Sequence, residues 1–172
     1  MLGSYPEVQD KLINEIKDIF GDDDRDVTKD DLDRMVYAEA VINETLRIYP
    51  TVPLMMRQAD HNLELDGCTI PKGAACVIFA WGSCRSRRLW GDDAREFNPE
   101  RWFRADLPHP AAFTTFSYGR RNCLGKKYAI SFLKTILVHS VRQLVFSSDV
   151  TKLQYHINLT VHPVTGHHIQ VQ

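Results

Sequence analysis

The stretch Phe116-Ser117-Tyr118-Gly119-Arg120-Arg121-Asn122-Cys123-Leu124-Gly125 sets two glycines around one cysteine and runs directly into an apolar-periodic segment. Glycine lets a backbone take positive φ and approach a bulky group closely. Downstream, Ala129, Phe132, Leu133, Ile136, Leu137, Val141 and Leu144 recur at helical spacing and predict a long helix over 124–146. The unpaired N–H groups and positive end of a helix favour an anion, so Cys123 is placed to be held as a thiolate, and Arg121 adds positive charge beside it. A nucleophile, a redox cysteine and a metal ligand all fit this pattern. No His lies nearby to serve as general base, and no second Cys lies in the loop. Ligation is therefore favoured among the three, and an inert loop cysteine stands as the alternative.

Working outward, Val8, Leu12, Ile13, Ile16 and Ile19 predict a helix over Glu7 to Phe20, ended by Gly21 and the acidic run that follows. Thr28 with Asp31 three residues on predicts a helix cap, and one helix is expected from about Lys29 to Tyr49, stopped by Pro50 and Pro53. On that helix Met35, Ala38, Ile42, Leu46 and Tyr49 form the apolar stripe. Glu44 and Arg47 sit together on another face at i and i+3. Taken alone, that spacing favours a surface ion pair contributing a few tenths of a kcal/mol. A pair buried against a further Arg would instead be a clamp. Phe97-Asn98-Pro99-Glu100-Arg101-Trp102 offers such an Arg in a turn-forming setting.

Leu63 to Ala80 reads as strands, with turns at Asp66-Gly67 and Pro71-Lys72-Gly73. Arg85 to Thr115 reads as a meander with short helices, and Leu153 to Val171 as a β-hairpin turning near Pro163 to Gly166. The class is α+β, predominantly α-helical. Its expected order is a helical pair over 5–49, a β-region and meander over 50–115, the loop 116–125, the long helix 124–146 and the hairpin tail 153–171.

The 172 residues carry a formal net charge of −1, with 44% hydrophobic and 10% aromatic residues. That balance excludes a disordered or collagen-like chain and argues against a nucleic-acid binder, which needs surplus Lys and Arg. The longest apolar run, Ala74 to Trp81, is far shorter than the roughly 20 residues of a membrane-spanning helix, and no signal peptide is visible. Read alone, the chain is expected to be soluble and intracellular. Cys68, Cys76, Cys84 and Cys123 form no Cys-x-x-Cys pair and are expected as free thiols. His162, His167 and His168 read as a solvated turn rather than a metal site.

In this order, the three motifs resemble the C-terminal portion of a cytochrome P-450 of microsomal type, the haem-thiolate monooxygenase family. Glu44 and Arg47 match its Glu-x-x-Arg helix, and Pro99, Glu100 and Arg101 its Pro-Glu-Arg meander. Phe116, Gly119, Arg121, Cys123 and Gly125 match Phe-x-x-Gly-x-Arg-x-Cys-x-Gly. The end of the helix at Tyr49-Pro50 and the Arg-Asn-Cys at the ligand are similar to the branch that includes fatty-acid hydroxylases.

The resemblance implies haem b (iron protoporphyrin) with Cys123 as axial thiolate, Arg121 and Arg57 as propionate partners, and Phe116 packed beside the ligand loop. It implies a buried triad of Glu44, Arg47 and Arg101, and makes Leu54 and Met55 candidates for the pocket of a small apolar organic substrate. Arg120, Lys126 and Lys127 would meet a nicotinamide-dependent reductase, or else form an ordinary solvated helix turn. The full-length family member is expected at the endoplasmic reticulum membrane through an N-terminal anchor. Neither that anchor nor the family's oxygen-handling Gly-x-Asp/Glu-Thr segment occurs here. The chain is therefore expected to be a haem-binding C-terminal fragment, possessing the family's monooxygenase reaction only as part of something longer. The alternative is an inactive haem-binding or interaction fragment from a truncated gene model.

Overall fold

Helix α1 (Pro6–Phe20) begins on a proline, which has no N–H to leave unsatisfied, and ends at Gly21 with φ of 59°. Val8, Leu12, Ile16 and Phe20 line its buried face at four-residue steps. This computed structural model describes residues 1–166 and 168–172; His167 lies outside them.

The single helix expected from Lys29 to Tyr49 is two, α2 (Lys29–Arg34) and α3 (Val36–Ile48), broken at Met35 with φ −78° and ψ 72°. Thr28 caps α2 as the spacing predicts, its hydroxyl accepting from Asp31 N–H while Asp31 accepts from Thr28 N–H. The break has a cause outside the segment. The Glu15 carboxylate, on α1, accepts from the backbone N–H groups of Tyr37 (2.6 Å) and Ala38 (2.8 Å), capping α3 from a neighbouring helix. Met35 turns inward and is fully buried.

Strand β1 (Leu54–Gln58) pairs antiparallel with β4 (Ala75–Phe79), and the hairpin of β2 (Leu63–Leu65) and β3 (Cys68–Ile70) lies between them in sequence. Its turn is Asp66-Gly67, both at positive φ (45° and 79°), the requirement of a tight two-residue hairpin. The sequence pattern showed no strand at β1. The meander follows, with helices α4 (Ala80–Ser83) and α5 (Arg87–Trp90) and a 3-10 turn at Pro99–Phe103.

Helix α6 (Lys126–Gln143) is shorter than the expected 124–146, because the chain leaves it to form β5 (Phe146–Ser147). Its buried stripe is Ile130, Lys134, Val138 and Val141. Phe132 and Ile136, two of the residues that mark the helical pattern, are 53% and 44% exposed. Lys134 enters the core because its ammonium donates to Leu32 O (2.8 Å) and to Glu39 (2.7 Å).

Strands β6 (Tyr155–Ile157) and β7 (Val161–Pro163) make a hairpin turning at 158–160, not near Pro163 to Gly166. Pro163 instead ends β7 opposite Tyr155, and β8 (Gln170–Val171) pairs with β5 rather than extending the hairpin. Val161 N–H donates to Thr51 O, a contact with a distant segment that helps set the turn. The main core is Leu12, Ile16, Phe20, Met35, Ala38, Val138 and Val141, joining α1, α3 and α6. A buried Leu there contributes roughly 1.5–3 kcal/mol. With its helical platform and small separate two-stranded sheets, the architecture is the α+β class expected.

Candidate functional site

The Glu44–Arg47 pair is not on the surface. Both side chains are fully buried, because the meander wraps the face of α3 opposite its apolar stripe. Arg47 grips Glu44 with two bonds of 2.8 Å, and its remaining donors reach the carbonyls of Cys84 (2.6 Å), Ala94 (2.5 Å) and Glu96 (3.0 Å). Glu44 also accepts from Arg101 (3.3 Å), from Asn98 N–H (3.0 Å) and from the Trp102 indole (3.1 Å). Arg101 continues to Trp90 O (3.0 Å) and to Asp93, through both its carboxylate and its carbonyl (2.8 Å each). Two guanidiniums thus meet two carboxylates, and the arginine forks stitch α3 to the meander. Arg101, aided by Arg104, holds the Asp93 carboxyl down at about 2.

The loop 116–125 hangs from this platform. Thr115 Oγ1 donates to Leu46 O on α3 (3.0 Å), and Cys123 N–H donates back to Phe116 O (2.8 Å), closing the loop. Gly119 uses its freedom at φ 81°. Gly125 does not; its φ is −83°, and it occupies the N-cap position of α6. A Cβ there would come 3.9 Å from the Cys123 sulfur, ordinary contact. Ser117 adopts φ 61° and ψ −178°, a region that only glycine enters without strain, at roughly 1–3 kcal/mol for other residues. The Arg57 guanidinium holds it there, donating to Ser117 Oγ (2.9 Å) and to Arg121 O (3.3 Å).

Cys123 is a free, exposed thiol close before the first turn of an 18-residue helix, where the helix dipole favours negative charge. Beside it an open cleft of about 750 Å³ is lined by Met56, Arg57, Gln58, Arg120, Arg121, Asn122 and Leu124. Among the described residues no three His, Cys, Asp or Glu side chains gather as for a metal ion. A metal that brings its other ligands with it, as a porphyrin does, suits a lone cysteine in this setting. The donor set fits haem: one soft sulfur, guanidiniums suited to carboxylates, and the apolar shoulders Leu124 and Met56.

The other predicted residues separate. Leu54 and Met55 lie on opposite faces of β1 by strand alternation, so only Met55 shares the face of Arg57. Arg120 opens into the cleft, Lys126 sits with its ammonium 5.8 Å from the Phe116 ring centroid, and Lys127 is exposed. Sequence reasoning missed Trp102, Asp93 and Ser117. Trp102 directly follows the Pro-Glu-Arg triplet, a signal available in the sequence. Asp93 and Ser117 carried none.

The cytochrome P450 family model matches residues 1–168. Cytochrome P450 4V2 of Rattus norvegicus and of Homo sapiens are each 42% identical over 151 residues, covering 87% of this chain and 29% of the relative. The Mus musculus protein of the same name is 40% identical over the same shares. The chain thus spans about 29% of the length of these curated relatives. No described helix is long and apolar enough to cross a membrane.

Proposed function

This chain belongs to the cytochrome P450 family, and from that premise we propose that it is the haem-ligating part of a monooxygenase, in which the Cys123 sulfur would hold the haem iron. When bound through a cysteine thiolate, haem b supplies activation of dioxygen, one atom of which enters an organic substrate. The residues of this chain do the holding. Cys123 presents its sulfur from a loop closed by its own backbone, close before the first turn of α6. Arg57 and Arg121, which line one cleft, would hold the two propionates. Phe116 would help keep water from the sulfur, Gly119 supplies the left-handed corner, and Gly125 stands at the N-cap of α6.

Glu44, Arg47 and Arg101 fix the meander that carries the loop. Met55, on the Arg57 face, is the better of the two substrate-pocket candidates, for a small apolar compound. Electrons come from a nicotinamide-dependent reductase whose acidic surface meets Arg120, Lys126 and Lys127. The family setting for such a protein is the endoplasmic reticulum membrane.

The observation that carries this reading is the exposed thiol sharing its surroundings with Arg57 and Arg121. The test is a reduced, carbon-monoxide difference spectrum of the chain supplied with haem, beside Cys123→Ala. A strongly red-shifted Soret band present in the wild type and lost in the variant is expected. A band typical of neutral ligation in both proteins sinks the assignment.

A second reading, haem binding without turnover, is favoured by the apolar surface of α6. Leu124 is fully exposed and Tyr128 is 75% exposed, beside Phe132 and Ile136. Catalysis needs a site that excludes water, and this surface is open among the described residues. Reductase-driven product formation from an apolar substrate separates the two readings.

A further inference from the structure

We infer that Trp102 is a positioning residue for the Cys123 loop, acting from the Glu44 cluster through Phe113 and Phe116. The inference rests on Cys123 being the ligand position proposed above. The two ends of Trp102 belong to different parts of the protein. Its indole N–H donates to the fully buried Glu44 carboxylate at 3.1 Å, while its ring meets Phe113 edge-on with centroids 4.9 Å apart. Phe113 meets Phe116 edge-on at 6.3 Å, and Trp90 backs Trp102 at 5.7 Å. Phe116 is the residue whose carbonyl holds the Cys123 N–H, and it immediately precedes the strained Ser117.

The physical argument is one of restricted freedom. An indole has a single donor and a rigid ring. Anchoring that donor on a carboxylate that two arginines already immobilise fixes the plane of the ring. A fixed ring limits the orientations open to Phe113, and Phe113 limits Phe116. The corner at Ser117 persists only where its surroundings over-determine it. Arg57 restrains that corner from one side by hydrogen bonding, and the aromatic series restrains it from the other by packing.

Residue-resolved hydrogen exchange on the haem-free chain tests this directly. Trp102→Phe keeps a ring and loses the N–H, whereas Trp102→Ala loses both. Trp102→Ala is expected to speed exchange of the Cys123 amide by about tenfold or more, while the core amides of Leu12 and Val138 change less than about twofold. Trp102→Phe, whose ring is no longer anchored on Glu44, is expected to fall between wild type and Trp102→Ala at Cys123. Phe113→Leu, which interrupts the series without touching Glu44, must also accelerate the Cys123 amide, and it serves if Trp102→Ala fails to fold.

With haem bound, Trp102→Ala should convert part of the thiolate-type spectrum to the neutral-ligand type, and Trp102→Phe should show a smaller conversion, because it keeps the ring and loses the anchor. Equal acceleration at Cys123 and in the core would make Trp102 a stabiliser of the whole fold and overturn the inference. An unchanged Cys123 amide in Phe113→Leu would do the same. If Cys123→Ala leaves the haem spectrum as it was, the ligand assignment fails on its own, and the exchange result still reports whether Trp102 orders the loop.

Discussion

Around Glu44 the charged groups are satisfied inside the protein, whereas around Cys123 the chain turns its charge outward. Arg47 and Arg101 are buried and take their partners from Glu44, Asp93 and the carbonyls of the meander. Arg120, Arg121 and Cys123 lie on the exposed stretch of the loop, and Arg57 is tied back to Ser117 and to Arg121 O. Both regions carry family motifs, but they serve different ends. A buried, fully paired network resists change, because removing one member leaves an uncompensated charge in a low dielectric. An exposed loop with cations facing a cleft presents donors that can receive an anionic ligand.

The largest effect that can break this contrast is at the buried end. Glu44→Gln leaves two buried guanidiniums short of a counter-charge, and a loss of about 3–5 kcal/mol is expected. Urea unfolding measures it; a loss under about 1 kcal/mol would mean that the meander repacks around the arginines. A smaller effect sits where the two regions meet. At Ser117, Ala keeps the strained backbone and loses the hydroxyl that Arg57 holds, whereas Gly loses the hydroxyl and relieves the strain. Ser117→Ala is expected to be about 1–2 kcal/mol less stable than Ser117→Gly, the reverse of the usual Ala–Gly order. Parallel thermal melts decide it.

The acid limb of stability sharpens the comparison further. Arg101 holds the Asp93 carboxyl at about 2 instead of its ordinary 3.8. Its folded pKa is lowered, so its contribution is complete above about pH 4 and is lost as pH falls toward about 2. Asp93→Asn should flatten melting temperature against pH across that window, and an unchanged slope there would place the acid sensitivity elsewhere. The smallest expected change is Cys123→Ala, within about 0.5 kcal/mol of wild type because the thiol is exposed. This variant nonetheless abolishes the thiolate-type spectrum if the proposed ligation is right.

Much of this could be read from the chain itself where the cause is local. Pro6 and Gly21 bound α1, Thr28 and Asp31 cap α2, and Asp66-Gly67 makes the β2–β3 turn, all where spacing and turn chemistry put them. Glu44 and Arg47 were legible as neighbours on a helix, but their burial was not, since it depends on a meander that begins about 40 residues later and folds over them. The apolar pattern of α6 locates the helix but not its buried face. Phe132 and Ile136 belong to that pattern and stay on the surface, whereas Lys134 goes inside because Leu32 O and Glu39 await its ammonium.

The sequence by itself determined which side chains could do chemistry and in what order they come: the helix pair Glu44 and Arg47, then Arg101, then Cys123 between its glycines. It also set the turns and caps whose partners lie a few residues apart. Tertiary structure alone decided the break at Met35, made by Glu15 22 residues from the amide it caps, and the sealing of Glu44 by Arg101, 57 residues away. It alone decided the strained corner at Ser117, held by Arg57 across 60 residues. The division is physical. Backbone torsions and caps respond to near neighbours, while burial and charge pairing depend on what the folded chain brings within a few ångströms.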